Sequence, residues 1–177
     1  NNYKVDAGET SLSVRYQEYF EHLNGEHDIV KSGVVTIQTP ALQDGQVLVK
    51  NHYLSLDPYM RGRMNAGKNY AQPQPLGEPM IGGTVGEVAE SKNAKFKVGQ
   101  TVQCMGGWQA YSLINADMPG ALKHVNAEKI SMSHYLGAVG MPGVTAWYGL
   151  NKIIQAKPGA PVTVSAASGA VGSAYGA

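Results

Sequence analysis

The sequence predicts a mainly β fold: short strands closing into a compact barrel or sandwich, then a helical connector, then the first βα step of a parallel sheet. Three observations predict it. Between Val34 and about Gly120, short β-patterned runs alternate with turn signals. From Ser131 onward the apolar period becomes helical, and from Val162 the chain reads as a buried strand, a loop of small residues and a helix start. At 177 residues there is room for one good core, or for one domain and the beginning of a second. With 43% apolar and 15% charged residues, the chain is globular and not disordered.

Residues 1–33 form a separate N-terminal segment of undefined role. Within it Tyr16, Tyr19, Phe20 and Leu23 recur at helical spacing, so residues 15–23 predict a short amphipathic helix packed on the barrel or on a neighbouring chain. Residues 34–130 make the barrel domain, with strands over 34–38, 46–53, 81–89, 100–104 and 108–114. Its turns fall at Asp44-Gly45, Gly82-Gly83, Val98-Gly99 and Gly106-Gly107. Residues 131–177 hold the connector and the βα step. Pro142 suits a first helical position, and Ala146, Leu150, Ile153 and Ile154 fall on one face before Lys157-Pro158-Gly159 breaks the helix.

Several function classes are excluded. The net charge is +1 and the longest basic cluster is the spaced pair Arg61 and Arg63, so there is no footprint for nucleic acid and the expected partner is a small molecule. No apolar run nears the roughly 20 residues that span a bilayer, and the N-terminus lacks a signal pattern, which predicts a cytoplasmic protein without a membrane partner. Cys104 stands alone, which excludes an internal disulfide and multi-cysteine zinc sites; it reads as a small buried apolar residue. The run from Gly62 to Asn69 misses a phosphate loop because Asn69 replaces the hydroxyl that would hold magnesium, and no buried strand leads into it. The five histidines show no ligand spacing, and no Gly-x-Ser-x-Gly elbow supports a hydrolase.

Two stretches carry chemistry. In the terminal stretch, Ala167, Gly169 and Gly172 occupy the three small-residue places of a dinucleotide fingerprint, with the backbone N–H groups of the following helix facing phosphates. Small residues after a strand also serve simple close packing. The ribose-reading residue is expected about 20 positions further on, beyond Ala177. The second stretch is Tyr53-Leu-Ser-Leu-Asp-Pro-Tyr-Met-Arg-Gly-Arg-Met64, a loop leaving a barrel strand with two tyrosines and two arginines. These are hydroxyl and guanidinium donors for a ligand, or aromatics that cap the barrel.

The chain from about Thr39 to Ala177 resembles the medium-chain dehydrogenase/reductase superfamily, in which a GroES-like barrel precedes a Rossmann domain. More narrowly, Leu54-Ser-Leu-Asp-Pro-Tyr-Met-Arg-Gly-Arg-Met64, Gly140-Met-Pro-Gly-Val-Thr-Ala146 and Val164-Ser-Ala-Ala-Ser-Gly-Ala-Val-Gly-Ser173 resemble the zinc-independent, NADPH-dependent alkenal/one oxidoreductases. That group includes prostaglandin reductases and plant double-bond reductases. Gly45-Gln-Val-Leu-Val and Gly107-Trp108-Gln109 point to its branch of CurA-type curcumin reductases. Members usually open with an arginine-containing strand and an Arg-Pro-x-Gly turn, which residues 1–33 lack. Members are also about twice as long, so the resemblance implies an N-terminal part, inactive by itself and weak or lacking in NADPH binding.

The resemblance also implies a mechanism. Asp57-Pro58-Tyr59 stands where zinc enzymes of the superfamily carry their first cysteine motif, and Pro79-Met80-Ile81-Gly82 stands near their Gly-His-Glu motif, so no metal is expected. Without a Lewis acid, an α,β-unsaturated carbonyl still accepts hydride at its β-carbon and spreads the charge as an enolate. The resemblance gives Tyr59 and Tyr53 as catalytic and substrate-facing residues, with Tyr70 and Arg61 as further substrate contacts. Met141 and Thr145 line the nicotinamide, and Gly169, Ala170, Val171 and Gly172 face the pyrophosphate. The alternatives are a quinone oxidoreductase and a non-catalytic binding module. The unfinished βα step predicts exposed apolar surface, hence self-association or a homodimer.

Overall fold

Val47, Leu48 and Val49 are completely buried in one strand, and the fold is arranged around them. A computed structural model describes residues 11–19, 30–38, 40–64, 71–75 and 78–175. Its elements in chain order are β1 (Ser11–Tyr19), β2 (Val30–Gln38), β3 (Gln46–Leu54), α1 (Tyr59–Arg63), β4 (Thr84–Ser91), β5 (Thr101–Cys104), β6 (Tyr111–Asn115) and β7 (Leu122–His124). A 3₁₀ helix (Met132–Leu136), α2 (Met141–Tyr148), a π-helical stretch (Gly149–Ile154) and α3 (Ala170–Tyr175) follow. The chain divides into two compact units, Asn1–His124 and Val125–Ala177.

In the first unit the protein is mainly β. Five antiparallel strands form one sheet in the order β6-β3-β4-β5-β7, and β1 pairs with β2 in a second, two-stranded sheet. Among the described residues no ladder joins β6 to β7, so the larger sheet is not closed by strand pairing. Its core is Val47, Val49, Val88, Phe96, Val102, Cys104, Ala116 and Leu122, drawn from alternate positions of neighbouring strands. Opposite that face, Leu48 is fully buried as well, so the middle of β3 is covered on both sides. Between β3 and β4 the register slips twice, at Leu48/Val49 and again at Asn51/Tyr53. The second slip leaves His52 without a partner, since Asn51 faces Gly86 and Tyr53 faces Val85. A bulge there bends the strand and re-aims the residues beyond it, which are Tyr53 and Leu54.

Three expectations are corrected. Residues 15–19 are not helical: they lie in β1, paired in register with β2 from Ser11↔Gln38 to Tyr19↔Val30. Leu12, Val14 and Tyr16 recur at every second position, the period of a strand, and a window opening at Arg15 loses that alternation. Phe20 and Leu23 lie outside the described residues. The loop after β3 is not wholly irregular, because Asp57-Pro58 turns directly into α1: the Met60 N–H donates to the Asp57 carbonyl at 3.1 Å and the Arg61 N–H to the Pro58 carbonyl at 3.2 Å. Finally, the stretch from Val162 forms no strand. It has no regular structure and is mostly exposed up to a turn at Ser165, since a strand exists only where its backbone groups find a ladder partner, and none lies alongside among the described residues.

The connector forms as its sequence predicts at its start, with Pro142 in the first turn of α2 and buried together with Ala146. Further along, Ile153 is 71% exposed and Ile154 55%, so the apolar face is covered only in its first half. The helix stops at Gln155, whose left-handed backbone closes it just before Lys157-Pro158-Gly159. Among the described residues no helix is long and apolar enough to cross a membrane.

Candidate functional site

The sequence-predicted residues fall into two groups, one in each unit. In the first unit, β3 delivers Tyr53 just past the bulge, 46% exposed. Two residues on, the Ser55 N–H donates to the Gly83 carbonyl at 2.9 Å and the Ser55 hydroxyl to the Asp57 carboxylate at 3.1 Å. These bonds turn the chain into α1, which opens with a half-buried Tyr59 and carries an exposed Arg61. Met60 between them is 3% exposed and pins the helix to the sheet. Arg63 Nη1 donates to the Gln72 carbonyl at 3.4 Å, closing the far end of the segment. Tyr70 lies outside the described residues.

Beneath this loop is a buried polar cluster that sequence reasoning missed. Asn51 Nδ2 donates to Ser112 Oγ at 2.6 Å and to the Gln109 carbonyl at 2.9 Å. Ser112 Oγ donates to the Gly106 carbonyl at 2.8 Å, and the Gly106 N–H donates to Thr84 Oγ1 at 3.2 Å. Thr84 and Ser112 are fully buried. Hydrogen-bonded networks of this kind rigidify a fold, although Asn51 Oδ1 is buried here with no partner among the described residues. Here the bonds fix the Gly106–Gln109 turn, whose Trp108 N–H donates to the Met80 carbonyl at 2.8 Å. Cys104 sits at the edge of the cluster, its Sγ 3.3 Å from Thr84 Oγ1, and burial pushes the thiol above its ordinary value. It is the small core residue its solitary position predicts.

In the second unit, Met141 opens α2 and is 62% exposed. The Thr145 hydroxyl donates back to the Met141 carbonyl at 2.7 Å, the local bond available to a threonine inside a helix. That bond occupies its proton and leaves oxygen lone pairs to accept. A turn at Ser165, with Ala166 in the left-handed region at φ 50, leads through Gly169 into α3, which begins at Ala170. The Gly169 N–H donates to the Ala166 carbonyl at 2.9 Å, tightening the turn. A Cβ on Gly172 would collide with the Ala166 carbonyl oxygen and stand 2.9 Å from Ala167 Cα, so only glycine admits this approach of turn to helix. The first N–H groups of a helix have no acceptor within it. A cleft of about 370 Å³ lies at the turn, lined by Val162, Ser165, Ala166, Gly169, Gly172 and Tyr175 among others. A tight turn with close backbone approach at a helix start is an arrangement that fits a diphosphate.

Fold and site together define a β-rich module followed by a short helical unit that carries a glycine turn. The chain belongs to the family described as the N-terminal domain of oxidoreductase, whose model matches residues 17–122. It is 42% identical over 140 residues to the NADPH-dependent curcumin reductase of Escherichia coli, covering 79% of this chain and 39% of that protein. It is 39% identical over 148 residues to the NADP(+)-dependent 2-alkenal reductase of Nicotiana tabacum, covering 83% of this chain and 42% of the relative. Among solved structures it resembles CurA from Vibrio vulnificus in complex with NADPH, at 42% identity and a TM-score of 0.68, with 81% of this chain and 42% of that one covered. The matched part of the chain thus spans about two fifths of the length of these relatives.

Proposed function

We propose that this chain is the N-terminal portion of an NADPH-dependent enone reductase, acting on the C=C bond of an α,β-unsaturated carbonyl without a metal. Its likeness to an NADPH-bound CurA, at 42% identity over 81% of the chain, carries the reading. On this reading residues 34–130 are the GroES-like barrel domain and residues 131–177 lead into a Rossmann domain.

NADPH, when bound, supplies the hydride that adds to the β-carbon; the π pair moves onto the carbonyl as an enolate, which then takes a proton at the α-carbon. Tyr59 and Tyr53 donate hydrogen bonds to the carbonyl oxygen, where negative charge develops, and Tyr70 and Arg61 hold the remainder of the substrate. Met141 would wall the nicotinamide, and Thr145, its proton engaged by the Met141 carbonyl, would have oxygen lone pairs free to accept from it. Gly169, Ala170, Val171 and Gly172 hold the pyrophosphate. Cys104 is 6% exposed in the core and is not offered to a ligand. The exposed apolar side chains of Val144, Trp147 and Ile153 support self-association, and a homodimer is the simplest form of it.

The test is steady-state NADPH oxidation by the protein at its full natural length, offered an aliphatic enone, a quinone and the matching saturated ketone. Turnover of the enone, with none of the saturated ketone, is expected. Turnover of the quinone alone would replace this reading with that of a quinone oxidoreductase, and turnover of none would leave a binding module.

A further inference from the structure

We propose that Gly82 is a positioning residue for Tyr59: the space it leaves beside Met60 sets how deeply α1 seats on the sheet, and so where the Tyr59 hydroxyl stands. The inference rests on the reductase reading above and extends it to a residue that touches neither substrate nor cofactor.

A helix of five residues cannot hold itself in water. The depth at which α1 seats on the sheet therefore follows from its one buried side chain, Met60, while the Arg63 bonds to Gln72 and Gln74 hold its far end. A Cβ on Gly82 would stand 2.8 Å from Met60 Cε, 2.9 Å from Leu54 Cδ1 and 3.6 Å from Trp108 Cδ1. Gly82 is not among the glycines with positive φ, so the missing side chain provides space and not conformational freedom. Nor can its backbone retreat. The Gly82 carbonyl accepts from the Gly107 N–H at 2.9 Å, the Met80 carbonyl from the Trp108 N–H at 2.8 Å, and the Gly83 carbonyl from the Ser55 N–H at 2.9 Å. The Gly106–Gln109 turn that takes two of these bonds is itself fixed by the buried polar cluster.

An added methyl group must therefore be absorbed on the other side. Leu54 is 36% exposed and can swing toward solvent, whereas Met60, 3% exposed, is enclosed and its Cε has little room to turn aside. Part of the displacement therefore passes along the Met60 side chain to α1, where Tyr59 is its covalent neighbour. Because both contacting atoms are the ends of flexible side chains, the cost in stability is small, while displacement of a donor by a fraction of an ångström is costly in rate.

The experiment is a double-mutant cycle in the full-length enzyme, reading kcat and KM for an enone at saturating NADPH alongside thermal stability. Gly82→Ala is expected to lower kcat/KM on the order of tenfold, mainly through kcat, with little change in Tm. Tyr59→Phe added to Gly82→Ala is expected to cost far less than Tyr59→Phe alone, because the displaced hydroxyl has already lost its function. Met60→Leu, one atom shorter, is expected to restore most of the loss in the Gly82→Ala background. Additive losses, or a Gly82→Ala enzyme with unchanged kcat/KM, would overturn the positioning role while leaving the reductase reading intact. A wild-type enzyme that reduces no enone would overturn both. Should Gly82→Ala not fold, Met60→Leu alone reads the same coupling: a loss that persists undiminished in the Tyr59→Phe background refutes it.

Discussion

Cys104 shows how much one residue reports about its surroundings. Its thiol is buried beside Thr84, and desolvation raises its pKa, the Thr84 and Gly106 hydrogen bonds offsetting part of the rise. The folded state thus holds the proton more tightly than the unfolded chain does, so this contribution to stability is fully present below the unfolded thiol pKa of about 8.5 and is lost as the pH climbs through the raised folded value. Thermal unfolding of the wild type between pH 8 and 10.5 is expected to fall more steeply than that of Cys104→Ala; parallel curves would contradict it. Cys104 was legible because a solitary cysteine on an alternating strand has few other roles. The cluster it borders was not legible, because Asn51 and Ser112 are 61 positions apart and meet only once β3 and β6 pair. No local pattern marks such a polar pair, whereas the turn glycines at Gly45 and Gly99, each with positive φ, are marked by their own neighbours.

At the scale of elements, the strands most faithful to their sequence are those with alternating apolar residues bounded by turns. β3 and β5 begin and end within a residue of their expected limits, while β4 starts only at Thr84, the Gly82 and Gly83 carbonyls being taken by the Gly107 and Ser55 N–H groups. The three-residue β7 was invisible, being too short to show a period. The stretch before α3 teaches the opposite lesson: an apolar run with every attribute of a buried strand remains unpaired without a neighbour. The turn after it nevertheless forms, because its geometry is local and enforced by Gly172. Gly172→Ala places a methyl group against the Ala166 carbonyl, a backbone atom that cannot swing aside. Titration of the full-length protein with NADPH, followed by fluorescence, is expected to show affinity reduced roughly tenfold or more, together with a lowered Tm, because the turn must shift. Undiminished affinity would show that α3 does not hold the pyrophosphate.

At the scale of the whole molecule, the oxidoreductase family is carried by residues 17–122, and the likeness to NADPH-dependent relatives extends across about four fifths of the chain. The tyrosine loop belongs to one unit and the glycine turn to the other, and the proposed function is hydride transfer from NADPH to an enone. The most direct measurement of that claim follows the hydride itself. The full-length protein is supplied with NADPH deuterated at C4, on either face in turn, and an enone, and the product is read by NMR. The expected product is a saturated ketone with deuterium at the β-carbon from one of the two cofactors and solvent hydrogen at the α-carbon. Deuterium on the carbonyl carbon of an allylic alcohol, or no transfer from either, would contradict conjugate reduction of an enone.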